Sequence, residues 1–143
     1  MARFRYRVRP AAALAVMLFV AGCPKVASFD PVAFEQTKAL KAEALALMDR
    51  ATEPYGEHRV EVDTLRAHLA RAYAREQGRP NNEKTLQQWG ILTAPQGHLL
   101  AGFLALWERR SVLDVAFIDE ARVQVADAFD EITGLENGKL RRD

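Results

Sequence analysis

The side chains best suited to chemistry are three histidines, one cysteine and two serines. His58 and His68 lie about 280° apart around a helix and so do not share a face. His58 and Glu61 could meet one helical turn apart, but one imidazole and one carboxylate rarely hold a metal ion alone. We therefore expect His58 to be partly buried and bonded to a carboxylate or to the backbone. The sequence predicts no metal site and no cofactor.

Nucleophilic catalysis has little support in the sequence. Ser28 and Ser111 are the two serines, and neither lies in the G-x-S-x-G context of an activated hydroxyl. Ser111 begins the stretch Ser111-Val112-Leu113-Asp114, which fits a capping box and predicts that Ser111 caps a helix. Adjacent acidic pairs such as Asp119-Glu120 are expected on solvated helix faces. We predict no catalytic residue and a protein that is not an enzyme.

The cysteine stands at the end of an export signal. Four arginines lie in the first ten residues, with no acidic residue before Asp30, and an apolar run follows over 11–20. A basic start, an apolar run and a small-residue cleavage site form a secretory signal peptide, here predicted over 1–22. The run is too short to span a membrane, which takes about 20 apolar residues.

The sequence Val20-Ala21-Gly22-Cys23 resembles the lipobox of bacterial lipoproteins. The resemblance implies acylation of the Cys23 thiol, cleavage before it, and a lipid that anchors the chain to a membrane. Pro24 replaces the aspartate that commonly retains such proteins at the inner membrane. The implied location is therefore the bacterial cell envelope, at the periplasmic face of the outer membrane in a Gram-negative source. An ordinary signal peptide with an incidental cysteine is the alternative.

Charge divides the chain unevenly. The formal net charge is +1, but residues 23–143 carry 16 Lys+Arg and 19 Asp+Glu, a net charge of −3. A mildly acidic domain without a basic patch is not typical of a nucleic-acid-binding protein.

Helical periodicity dominates the rest of the sequence. Asp30 and Pro31 are typical of a helix start, and apolar or small residues then recur every three or four positions from Phe34 to Ala72. No segment alternates with the period of a strand. The sequence predicts an all-α bundle of four to five helices over 30–135, after a lipidated tether at 23–29 and before a flexible tail at 136–143. In that tail Lys139, Arg141 and Arg142 could contact anionic lipid headgroups, and a solvated, disordered end is the alternative.

Pro54 leaves the first helical region ambiguous. Proline inside a helix removes a hydrogen bond and clashes with the preceding turn, which indicates either a kink or a hairpin. Because the apolar stripe keeps its phase across Pro54, we favour one long helix kinked there over two antiparallel helices.

The stretch 99–107 is the most apolar of the region after the signal. As a helix it must be covered on all sides, so the central core is the simpler interpretation. A groove for a partner or an apolar ligand is the alternative. Its candidate residues are Leu99, Leu100, Phe103, Leu104 and Trp107.

These features together favour a lipid-anchored envelope protein with a binding or adaptor role toward a periplasmic or membrane partner. The domain is similar, loosely, to small helical bacterial lipoproteins, around Ala51–Tyr55, His58 and Gln87–Trp89. Two alternatives use a groove near 99–107. One is a secretion escort like the pilotin lipoproteins, and the other is a carrier of lipid or another apolar molecule.

Overall fold

The computed structural model describes residues 25–141, which form five α-helices and no strand. The predicted all-α fold is confirmed. The helices are α1 (Pro31–Met48), α2 (Arg59–Gln77), α3 (Glu83–Thr93), α4 (Leu100–Arg110) and α5 (Val115–Lys139). Two short 3₁₀ turns, Asp49–Thr52 and Tyr55–Glu57, lie between α1 and α2.

The chain reverses direction around Pro54, so α1 and α2 form an antiparallel hairpin. Two contacts across the hairpin show the direction, with Glu43 beside His68 at 3.0 Å and Asp30 beside Arg75 at 2.9 Å. The long helical N-terminal segment is confirmed as far as residue 52, but it does not continue through Pro54 as a kinked helix. The backbone is extended at residue 53 and helical hydrogen bonding stops there.

Helices α3 and α4 together occupy the position of one helix in a four-helix bundle. Trp89 of α3 packs edge-on against Phe129 of α5, with ring centroids 6.2 Å apart. Phe103 of α4 stacks on Phe117 of α5 at 6.0 Å. Both contacts fit α3 and α4 running antiparallel to α5 in a single register. Helix α5 also runs antiparallel to α1. The architecture is therefore an up-down-up-down bundle whose third helix is broken.

The break lies over residues 94–99 and has a local cause. Ala94 adopts an extended conformation, as expected for a residue before proline, and Gly97 N–H closes a turn onto the Ala94 carbonyl at 2.9 Å. The turn brings Gly97 so close to α4 that a Cβ on Gly102 would overlap the Gly97 carbonyl oxygen. Only glycine fits at position 102.

The core lies along the bundle axis, where all five helices contribute apolar side chains. The largest side chains that are at most 2% exposed are Trp89, Trp107, Phe103, Phe129, Met48, Leu65, Leu92, Leu100, Leu104, Ile132, Val62 and Val125. The predicted stripes are confirmed at most positions. Val115, the first residue of α5, is 58% exposed.

The start of α5 differs from the predicted capping box. Asp114 is the N-cap, and its carboxylate accepts the N–H groups of Ala116 and Phe117. Ser111 instead ends α4 with φ +66°, in a region where side chains are strained. Its carbonyl accepts the Tyr55 N–H at 2.7 Å, so it ties the end of α4 to the α1–α2 turn.

The end of α5 also differs from the prediction. The helix does not end before the predicted tail at 136–143 but continues to Lys139. Residues 136–139 therefore belong to the bundle and not to a flexible tail. Glu136 and Lys139 are 3% and 4% exposed, because they bond to the Arg79 and Asn82 side chains of the α2–α3 turn.

Candidate functional site

A groove opens at the break in the third helix. It lies between the 95–98 turn, α4 and the first half of α5, with a volume of about 530 Å³. A continuous third helix would fill this space with side chains. Volumes of this size are typical of ligand-binding clefts.

The groove has an apolar floor and a polar rim. Phe103 and Phe117 stack in parallel along it, with an interplanar angle of 1°, and Phe117 remains 41% exposed. Leu106 adds a half-buried aliphatic side chain. Arg109 and Glu120 carry opposite charges at the edge. Such a surface suits a segment with one or two large apolar side chains flanked by charged groups.

The five residues proposed from sequence divide between the core and this groove. Leu100, Leu104 and Trp107 are at most 1% exposed and belong to the core. Leu99 is half-buried and packs against the core. Phe103 is the member that lines the groove, although it is 2% exposed.

Sequence reasoning missed most of the groove lining. Phe117 comes from α5, and the turn over 95–98 supplies the third wall. Leu106 falls outside the buried stripe of α4, a signal that sequence alone could have given. Helical periodicity describes one helix at a time, so it cannot show that α5 packs beside α4 at this groove.

A buried charge cluster lies at the other end of the bundle. It consists of Glu76, Arg79, Asn82, Glu136 and Lys139, from α2, the α2–α3 turn and α5. Arg79 bridges the two carboxylates at 2.8 Å each. Lys139 donates to Glu136 and to the Asn82 side chain, whose amide donates to Glu76 at 2.6 Å. The charges sum to zero, as expected when ions are removed from water.

Hydrogen bonding lowers the pKa of one member. Burial acts to raise the pKa of the Glu136 carboxyl, but the hydrogen bonds from Arg79, from Lys139 and from the Asp30 N–H outweigh it. The net pKa lies below the ordinary value, so Glu136 stays ionised at neutral pH.

The cluster holds the segment before α1. Asp30 N–H donates to Glu136 at 2.7 Å, and the Arg79 guanidinium donates to the Ser28 carbonyl at 2.6 Å. Ala27 is 5% exposed and its N–H bonds to the Asn81 carbonyl at 3.0 Å. The predicted tether is therefore docked on the bundle from residue 27 onward.

A third group of chemically capable side chains surrounds His58. Its ring is 7% exposed and packs on Trp107, with centroids 5.6 Å apart. Nε2 lies 2.6 Å from a Glu53 carboxylate oxygen, and Nδ1 lies 3.8 Å from Glu61. The expectation that His58 is partly buried and bonded to a carboxylate is confirmed, with Glu53 as the partner. Glu57 also points a carboxylate toward this group.

The other two histidines lie apart from His58. His68 Nδ1 is 3.0 Å from both carboxylate oxygens of Glu43, across the α1–α2 hairpin. His98 is exposed at the rim of the groove.

Cys23, the predicted lipid attachment site, and the signal peptide over 1–22 fall outside the described residues. None of the helices within 25–141 has the length and apolar character needed to cross a bilayer. Comparison of the chain with protein-family models, curated proteins and solved structures gives no match.

Proposed function

We propose that this chain is a lipid-anchored protein of the bacterial cell envelope that binds a partner polypeptide without catalysing a reaction. The groove beside α4 carries this proposal, because it presents the Phe117 ring 41% exposed on an apolar floor. The lipobox-like sequence ending at Cys23 supports the location, with the outer membrane favoured in a Gram-negative source.

The proposed occupant is a protein segment that is amphipathic and of mixed charge. The stacked Phe103 and Phe117 rings would receive its apolar side chains, and hydrophobic contact of this kind supplies most of the free energy of such complexes. Arg109 and Glu120 at the rim would each find an opposite charge on it. Rim charges of this kind contribute more to specificity than to affinity.

Site-specific photocrosslinking in the native bacterium tests the groove. A photoreactive amino acid is placed at Leu106 or at Gln124, both of which line the groove. A matched control places it at Val60, which is 77% exposed on α2 and does not line the groove. We expect one discrete protein adduct from the two groove positions and none from Val60.

A binding measurement then decides the assignment. A synthetic peptide from the crosslinked region of the partner is titrated against the purified protein, with Phe117→Ser as the variant. Loss of the exposed ring should weaken binding about tenfold or more, since anchoring aromatic residues contribute over 1 kcal/mol. Equal adduct formation at Val60, or unchanged peptide affinity for Phe117→Ser, would contradict a groove-bound partner.

Two alternative functions use the same groove, and the molecule found bound in it distinguishes them. A secretion escort would bind a short segment of a single exported protein, and the adduct would contain that protein in stoichiometric amount. A carrier of lipid would instead copurify with an apolar small molecule. Native mass spectrometry of the full chain with Cys23→Ser detects such a molecule directly.

A further inference from the structure

The turn between α1 and α2 brings three metal-binding side chains together. One ligand atom each from Glu53, Glu57 and His58 lie within 4.8 Å of one another. Sequence spacing pointed to Glu61 as the nearest carboxylate of His58, since the two lie one turn apart on a helix. The 3₁₀ turn over Tyr55–Glu57 instead folds Glu53 and Glu57 around the ring.

The turn that carries these ligands is firmly held. Trp107 Nε1 donates to the Glu53 carbonyl at 3.0 Å, and the same indole packs on the His58 ring. Tyr55 N–H donates to the Ser111 carbonyl at 2.7 Å. The His58 side chain is 9% exposed, so the imidazole has little freedom to rotate. An imidazole fixed in this way pays little conformational entropy on binding an ion.

We propose that Glu53, Glu57 and His58 form a binding site for a divalent transition-metal ion of the zinc class. An imidazole nitrogen with two carboxylate oxygens is a donor set that zinc accepts, and the hard cations magnesium and calcium favour oxygen-only sites. Three protein ligands leave a fourth position for water. This inference is independent of the proposed binding function of the groove.

The surroundings fit a cation. Glu61 lies 3.8 Å from Nδ1 of His58, so its negative charge faces the imidazole without a hydrogen bond to it. With a neutral imidazole, Glu53 and Glu57 place two negative charges against the ion. Arg50 opposes binding, because its guanidinium lies 3.3 Å from Glu53, but this side chain is 59% exposed and can move away.

Metal binding requires the Glu53 carboxylate to move. His58 Nε2 and Glu53 Oε2 are 2.6 Å apart, whereas two ligands at about 2.0–2.1 Å from a tetrahedral ion are about 3.3 Å apart. Glu53 can make this movement because its side chain is 41% exposed. The hydrogen bond between His58 and Glu53 is therefore lost when the ion binds.

Calorimetric titration of the purified, untagged full-length chain with zinc chloride tests the proposal. Glu57→Gln is the chosen variant because Glu57 is exposed, so the substitution leaves the fold intact. We expect one zinc ion per chain and at least a tenfold loss of affinity in Glu57→Gln. Glu43→Gln is the matched control, because it alters the carboxylate partner of the other paired histidine, His68, and should leave the affinity unchanged.

A second measurement locates the ion. With Co²⁺ as a paramagnetic probe, the ring proton signals of His58 should broaden before those of His68 and His98. Absence of saturable zinc binding, equal affinity of Glu57→Gln and the unmodified chain, or broadening centred on His68 would each overturn the proposal.

Discussion

Replacing Glu136 with glutamine tests the importance of the buried charge cluster. The substitution keeps the shape of the side chain and removes its charge. Glu136 accepts hydrogen bonds from Arg79, Lys139 and the Asp30 N–H, and its side chain is 4% exposed. With glutamine, Glu76 would be left to neutralise both Arg79 and Lys139, so the cluster would hold one uncompensated positive charge.

The expected loss of stability is large for a single substitution. Removing one partner of a buried ion pair costs about 3–5 kcal/mol, because the remaining charge stays buried without compensation. The glutamine carbonyl can still accept one of the bonds, so we expect about 3 kcal/mol. For a domain of this size, such a loss lowers the melting temperature by about 10–15 °C.

The same residue makes the stability depend on pH. Because the folded state lowers the pKa of Glu136 below its ordinary value of about 4.5, the unfolded chain takes up this proton first as the pH falls. The stabilisation is therefore fully present above about pH 4.5 and is lost as the pH falls through the folded-state pKa. Glutamine does not titrate, so the stability difference between the two proteins should narrow below pH 4.5.

Urea denaturation followed by circular dichroism, at several pH values between 3 and 7, measures both effects. The control is Glu131→Gln, an exposed position on the same helix, where we expect a change of less than about 0.5 kcal/mol. A loss in Glu136→Gln as small as that of the control, or a difference independent of pH, would refute the role assigned to the cluster.

Further predictions concern the anchor and the backbone. Cys23→Ser should abolish labelling with fatty acid and release the protein from membranes; unchanged retention would exclude the lipobox. Ser111→Gly should raise the free energy of unfolding by about 1 kcal/mol, since glycine tolerates positive φ. Gly102→Ala should lower it by about 2 kcal/mol through overlap with Gly97. Gly134→Ala, in an open helical position, should instead raise it by about 0.5–1 kcal/mol. Urea denaturation measures the free energy of unfolding of all three variants, and changes of the opposite sign would contradict the packing described.

Periodicity predicted most of the fold because burial in a helical bundle repeats every three to four residues. Val62, Leu65 and Leu69 are all at most 4% exposed, as their spacing requires. The break after α3 was also predictable, since Pro95 restricts the residue before it.

The hairpin at Pro54 could not be predicted from the phase of the apolar stripe. Both α1 and α2 direct their stripes at one shared core, so Ala51 and Val62 are each fully buried on either side of the turn. An unbroken phase is therefore compatible with a reversal of direction.

The sequence wrongly predicts a flexible tail at the charged end of α5, and the reason is a different one. Glu136 and Lys139 resemble a solvated tail in sequence, because charged residues are rarely buried without partners. Their partners, Arg79 and Asn82, each lie 57 residues earlier and meet them through the fold. The groove shares this difficulty, since Phe103 and Phe117 belong to different helices.

The positions of the lipid anchor and the groove together indicate which kind of molecule occupies the groove. Three residues separate Cys23 from the docked Ala27, a span of at most about 14 Å, so in the proposed anchored protein the charge-cluster end lies close to the bilayer. The groove contacts α5 between Phe117 and Gln124, about 20–30 Å along that helix from Glu136. A lipid embedded in the same membrane would have to leave it to reach this groove. A polypeptide extending away from the bilayer meets no such barrier, which favours a protein partner over a lipid as the occupant.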